Sequence, residues 1–187
     1  MIRAVLFDCD GTLVVPGAAP AIRACAERVM VAVVSSSTPR AGVERLLATL
    51  GVREVVHAIV GAEDVLRPPP DPALLLEAAA RCYADPRHCV VVAAGQAVLV
   101  AARAAGMHTR LVLDRCAEPE LCRPLADEAF TQFATLPRRF GVTCSPTPTE
   151  RRRVRHSFTP DDRSRTAKSV IAAAAATAIA STSHNTL

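Results

Sequence analysis

Ile2-Arg3-Ala4-Val5-Leu6-Phe7-Asp8-Cys9-Asp10-Gly11-Thr12-Leu13-Val14 opens with an apolar run that stops at two aspartates and a glycine. An apolar run of this length without polar alternation reads as a strand buried on both faces, as in a parallel sheet covered by helices. In an open sheet of that kind, reactive side chains gather in the crevice beyond the carboxyl ends of the strands, which is where Asp8 and Asp10 fall. Two carboxylates two residues apart point the same way: one can attack phosphorus while the other handles protons. The backbone N–H groups of the loop can cradle phosphoryl oxygens as an anion-binding nest, and Gly11 lets the chain turn sharply. The plainer alternative is an Asp-rich turn that merely ends a strand.

Outward from that loop, short β-branched runs alternate with helical stretches, the pattern of βαβ units and a parallel sheet. Strands are expected at Ile2–Phe7, Val29–Ser35, Val55–Val60, His88–Val92 and Thr109–Leu113. Helices are expected at about Pro20–Arg28, Pro39–Leu50, Pro72–Cys82 and Ala97–Ala105, with a last strand–helix piece within Glu128–Phe140. Gly51 and Gly106 stand where helix C-terminal caps belong. The fold class is therefore α/β, a Rossmann-like three-layer parallel sheet, with a core domain over residues 1–141.

Half of the 187 residues are apolar, enough for one sizeable core. The formal charge of +4 comes wholly from residues 142–187, where Arg151, Arg152, Arg153, Arg155, Arg163, Arg165 and Lys168 face Glu150, Asp161 and Asp162. Residues 1–141 hold 15 basic and 15 acidic side chains. A basic, Pro- and Ser-rich tail of this kind reads as a solvated, disordered segment, so nucleic acid is not the expected partner. The seven cysteines include no CxxC pair, which argues against a disulfide framework or a zinc site. The chain starts directly on a strand and has no apolar run of membrane-spanning length, so the expected setting is cytoplasmic, with no membrane partner. His57, His88 and His108 lack metal-ligand spacing and read as ordinary core or surface histidines.

The Asp8-Cys9-Asp10-Gly11-Thr12 loop resembles motif one of the haloacid dehalogenase-like superfamily. The resemblance implies that Asp8 is the nucleophile, forming an aspartyl-phosphate, and Asp10 the general acid/base. Val31-Ala32-Val33-Val34-Ser35-Ser36-Ser37-Thr38-Pro39-Arg40 resembles motif two, whose first hydroxyl, here Ser35, binds the transferring phosphoryl group. Gly61-Ala62-Glu63-Asp64-Val65-Leu66-Arg67-Pro68-Pro69-Pro70-Asp71-Pro72 resembles motif three of the phosphoglucomutase and phosphoglycolate phosphatase branch, with Arg67 at the lysine position. An arginine there is not equivalent, because its planar fork is not a compact ammonium. The substrate-contacting set implied is Cys9, Gly11, Thr12, Ser35, Ser36 and Arg67, with Cys9 a spacer rather than a thiol nucleophile.

Motif four normally brings an acidic pair. Counting back from Ala101-Ala102-Arg103-Ala104-Ala105-Gly106-Met107, that pair falls on Ala93 and Ala94, and the usual glycine falls on Val98. No Asp or Glu occurs from Pro86 to Leu113. The resemblance implies a magnesium ion held by Asp8 and the backbone carbonyl of Asp10, here a weakened site, with Gln96 or a water left to offer a neutral oxygen. Only about twenty residues separate Thr12 from Ser35, so the helical cap of this branch is expected to be missing. The resulting expectation is a phosphomonoester phosphatase of reduced competence acting on a small phosphorylated substrate or a phosphoprotein. The alternative is a non-catalytic phosphate-binding or interaction protein.

Overall fold

Among the described residues, six parallel strands form one sheet, joined by five crossover connections. The structure, a computed structural model, describes residues 1–133, all within the unit Met1–Cys144. In chain order the elements are β1 (Ala4–Asp8), α1 (Ala18–Ala26), β2 (Met30–Val34), α2 (Arg40–Thr49), β3 (Ala58–Val60), α3 (Ala73–Arg81), β4 (Cys89–Ala93), α4 (Gln96–Ala104), β5 (His108–Val112), α5 (Pro119–Cys122) and β6 (Glu128–Phe130). The strand order is β3-β2-β1-β4-β5-β6. The chain moves from β1 outward to β3, then returns through α3 to β4 on the other side of β1. That reversal makes the carboxyl end of β1 the topological switch point, where side chains are free of crossover connections.

Side chains alternate across β1 as a strand requires. Val5 and Phe7 join Val31, Val33, Ile22, Cys25, Val43 and Leu47 under α1 and α2. Ala4 and Leu6 join Ala32, Val34, Leu74, Leu75, Leu99 and Ala102 under α3 and α4. The many alanines on the inner helix faces let the helices lie close to the sheet, and the three-layer sandwich is the one the sequence pattern calls for.

The differences from expectation are local. α1 starts at Ala18 instead of Pro20, because a proline in the first turn needs no N–H partner and the helix extends ahead of it. β3 is three residues shorter at its start than the β-branched run suggests: Arg53–Val55 winds into a 3-10 turn, and the ladder to β2 pairs only Ala58, Ile59 and Val60 with Ala32, Val33 and Val34. The expected continuation from Glu128 is present as β6 up to Phe130; the remainder to Phe140, the boundary at residue 141 and the basic tail lie outside the described residues. One helix, α1, is the only regular element between β1 and β2 among the described residues, so the cap insertion is absent there. No helix among them is long and apolar enough to cross a membrane.

The open edge at β3 is closed by charge. Arg81, at the end of α3, donates to the carbonyl of Ile59 at 2.7 Å, covering a group that an edge strand would otherwise present to another chain. Arg81 also binds Asp64 at 3.0 Å, and Arg40, at the start of α2, forms a second ion pair with the same carboxylate. Gly61 N–H donates to Asp64 at 2.8 Å. A side chain at Gly61 would meet the backbone of Arg40, so the turn approaches α2 as closely as only glycine allows. Burial pushes the Asp64 carboxyl up, but the hydrogen bonds from Arg81, Gly61 and Arg40 outweigh it and hold the group at about 2. A depressed carboxyl contributes stability above its ordinary value of about 4 and loses it as pH falls toward 2. Asp64→Asn should therefore lower stability at pH 7 by about 1–3 kcal/mol in urea unfolding, with the difference from the natural chain shrinking between roughly pH 4 and 2.

Candidate active site

The ladder sets the heights of the two loops that meet at the switch point. Asp8 pairs in register with Val34 of β2, and Phe7 with Val92 of β4, so the residue after Val92, Ala93, lies level with Asp8. Cys9 N–H donates to Val34 at 2.7 Å and Ser35 N–H donates to Val60 at 3.0 Å, which extends the sheet one step beyond each strand. The loops that leave β1 and β2 are thus rigidly placed side by side. Gly11 takes the left-handed conformation, φ +77°, which turns the chain back toward Thr12.

Asp10 is the most heavily bound carboxylate of the site. Its Oδ1 accepts from the Ser35 hydroxyl at 2.9 Å and from the Ser37 hydroxyl at 2.7 Å. Its Oδ2 accepts from the Ser36 N–H at 3.1 Å and from the Ser36 hydroxyl at 3.3 Å. A carboxylate offers about four acceptor positions, and all four are taken. Ser35 is equally committed: buried, it gives its one proton to Asp10 and accepts from the N–H groups of Ser37 (3.3 Å) and Thr38 (2.9 Å). Pro39, with φ −59°, then sets the chain on course for α2.

Asp8 is 2 % exposed. Its one described hydrogen bond is a long one, from Asp10 N–H at 3.4 Å. Burial, then the charge of Asp10, push its carboxyl well above the ordinary carboxylate range, and that single N–H opposes them. Burial and the two aspartates likewise push the Cys9 thiol up to about 12, so it is not a thiolate nucleophile at neutral pH. Thr12 is fully buried, and its hydroxyl has no hydrogen-bond partner among the described residues.

Sequence-derived candidates divide into those brought together and those not. Asp8, Cys9, Asp10, Gly11, Thr12, Ser35 and Ser36 meet at the switch point. Arg67 does not join them: 76 % exposed, it pairs with Asp71 at 3.1 Å, and no hydrogen bond or ion pair joins it to Asp8 or Asp10 among the described residues. Ser37 was not singled out by sequence reasoning, although it makes the shortest bond to Asp10. The signal available was the run of three serines, Ser35 to Ser37, following a strand that lies beside an acidic loop. His57 accepts Val31 N–H at 3.1 Å through Nδ1, which makes it a strand-binding side chain.

The donors present do not fit the magnesium site that the resemblance implies. Magnesium wants near-octahedral oxygen ligands with one or two carboxylates among them. Among the described residues Asp8 is the one acidic side chain left for it, since the Asp10 carboxylate is filled by serine donors and Ala93 and Ala94 are buried methyl groups. Gln96, at the start of α4, is exposed. No group of three or more His, Cys, Asp or Glu able to hold a metal occurs among the described residues.

A raised carboxyl destabilises the native state as it ionises, because the folded chain holds its proton to higher pH than the unfolded chain does. Stability of the natural chain in metal-free buffer is thus expected to fall as pH rises from about 4 toward the raised Asp8 value. Asp8→Asn should remove that slope and raise the melting temperature at pH 7, as read by thermal unfolding across a pH series.

Comparison with known proteins identifies the family. The family model for haloacid dehalogenase-like hydrolases matches residues 13–106, half of the chain, starting just after the acidic loop. Hexitol phosphatase B of Escherichia coli K12 is 27 % identical over 110 residues, which are 59 % of this chain and 50 % of that protein. The chain thus spans about half the length of the curated relatives it matches. A Thermotoga maritima protein of β-phosphoglucomutase type superposes with a TM-score of 0.67 at 15 % identity, over 75 % of this chain and 99 % of the other. CbbY of Rhodobacter sphaeroides, solved in complex with phosphate, superposes with a TM-score of 0.63 at 19 % identity, over 73 % and 96 % of the two chains. Their structural likeness is one of fold, and the sheet, the acidic loop and the family match together lead to one conclusion: the chain belongs to the haloacid dehalogenase-like hydrolase family.

Proposed function

We propose that this chain is a phosphomonoester phosphatase of low turnover, acting through Asp8 as nucleophile. The observation that carries this reading is the meeting of Asp8, Asp10 and the Ser35–Ser37 donors at the carboxyl end of the central strand. In the reaction, an Asp8 oxygen attacks phosphorus and the ester P–O bond breaks, the leaving oxygen taking a proton from Asp10. Water then attacks the aspartyl-phosphate, giving a proton back to Asp10 and releasing phosphate from Asp8. Ser35, Ser36 and the loop N–H groups supply neutral hydrogen bonds to the phosphoryl oxygens.

Low turnover follows from what stands in place of charge. Without carboxylates at Ala93 and Ala94 the site lacks a metal clamp, worth several kcal/mol in a phosphoryl-transfer enzyme. At about 1.4 kcal/mol per tenfold, the rate falls roughly a thousandfold or more below an intact site. The absent cap leaves small-molecule selectivity weak, so the substrate class is a phosphate monoester, either a small phosphorylated molecule or a phosphoprotein. CbbY, solved in separate structures with phosphate and with xylulose-1,5-bisphosphate, supports a phosphorylated ligand on this fold.

A second reading, a non-catalytic phosphate-binding protein, is favoured by the burial of Ala93 and Ala94 and by the raised Asp8 carboxyl, which disfavours the attacking form. Release of nitrophenol from p-nitrophenyl phosphate separates the two: the natural chain should show slow, saturable release that Asp8→Asn abolishes, and equal rates in both would remove the enzyme. Because only ionised Asp8 attacks, the rate should rise with pH through its raised value. Ala94→Asp, which returns a carboxylate to the site, should raise the rate tenfold or more, measured with added magnesium.

A further inference from the structure

The serine donors that the proposed function offers to phosphate are occupied by the protein's own carboxylate. Ser35 Oγ, Ser36 N–H, Ser36 Oγ and Ser37 Oγ converge on Asp10 within 2.7–3.3 Å. Ser35 Oγ and the Ser36 amide and hydroxyl form an anion receptor, in which a carboxylate has the planar, two-oxygen outline of one face of a phosphoryl group, and Ser37 at the rim adds a fourth bond to that carboxylate. The Ser35 hydroxyl has a single proton, already given to Asp10, and its acceptor positions are filled by the Ser37 and Thr38 N–H groups. It can donate to a phosphoryl oxygen only after releasing Asp10. Ser36 is bound in the same way through both its amide and its hydroxyl.

We infer that Asp10 is parked in the phosphate cradle as an internal competing anion, and that Ser37 is the positioning residue that latches it there. Of the four donors, Ser37 is set apart by its situation. Its bond to Asp10 is the shortest, at 2.7 Å, and its side chain lies at the exposed rim, whereas Ser35 is fully buried at the base. Its backbone N–H is bound to Ser35 Oγ, so the residue is held in place whether or not its hydroxyl has a partner. Phosphate binding exchanges one anion for another: Asp10 swings out of the cradle as the phosphoryl group enters, which also frees its carboxyl for proton transfer. The latch therefore weakens phosphate binding while the ligand-free loop stays ordered.

This inference rests on the phosphate-ester reading, and the sign of one substitution separates their fates. Orthophosphate is titrated into the full chain by calorimetry, with thermal unfolding run in parallel to confirm that each variant is folded. Ser37→Ala removes one hydrogen bond to the parked carboxylate without changing charge. Loss of a bond of that type should tighten orthophosphate binding roughly five- to tenfold. Ser35→Ala, which removes a donor shared by both anions, should not tighten it, and Ser37→Thr, which keeps the hydroxyl, should restore the natural value. With p-nitrophenyl phosphate, Ser37→Ala should lower KM by a similar factor. Binding that is equal or weaker in Ser37→Ala overturns the latch and leaves the phosphate reading standing. Orthophosphate binding to neither protein overturns both.

Discussion

A strand buried on both faces and paired on both edges has no freedom left except at its ends, and β1 is such a strand. Ala4 to Phe7 have no exposed surface, and their backbone is held by β2 on one side and β4 on the other. Burying those side chains removes apolar area worth roughly 1.5–3 kcal/mol for each large one. The alternation that sends Leu6 to one helix layer and Phe7 to the other also fixes the height and direction of Asp8. Where that strand stops, Asp8 and Asp10 meet the serine loop that follows β2.

Placing an acid at such a point carries an electrostatic cost, and the molecule meets it with neutral groups. Asp8 is buried beside a second carboxylate, and a lone, long hydrogen bond opposes the desolvation. Asp10 receives four hydrogen bonds, all from serines. Hydrogen bonds from fixed hydroxyls and amides hold an anion in place without supplying the charge that would lower the barrier to phosphoryl transfer. Arginine charge is used elsewhere: Arg40 and Arg81 bind Asp64, and Arg67 binds Asp71. On the proposed function, the positions where charge would aid turnover hold buried methyl groups, at Ala93 and Ala94, or an exposed arginine, Arg67.

The β3 edge shows the same economy of charge used for structure. Asp64 joins the start of α2, the end of α3 and the turn after β3, and Arg81 covers the Ile59 carbonyl. Because α2 begins immediately after the serine loop, this cluster also fixes the far end of the segment that holds Asp10. Stability at the edge and order at the site are consequently linked through one helix N-terminus.

Much was legible in the sequence because it depends on local pattern. The unbroken run Ala4–Phe7 specified a doubly covered strand, the alternation of runs specified parallel crossovers, and the Asp8-Cys9-Asp10-Gly11 loop marked the candidate site. The empty positions at Ala93 and Ala94, and the short link from Thr12 to Ser35, were likewise read from spacing. What only the tertiary structure decided depends on which groups meet across β1 and β2. That Asp10 faces the serines, that Ser37 outranks Ser36 as its partner, that Arg67 pairs with Asp71, and that β3 begins at Ala58 all follow from register and side-chain direction. Periodicity names the face on which a residue lies, but the partner it finds there is set by packing between segments distant in the chain, a quantity no local pattern contains.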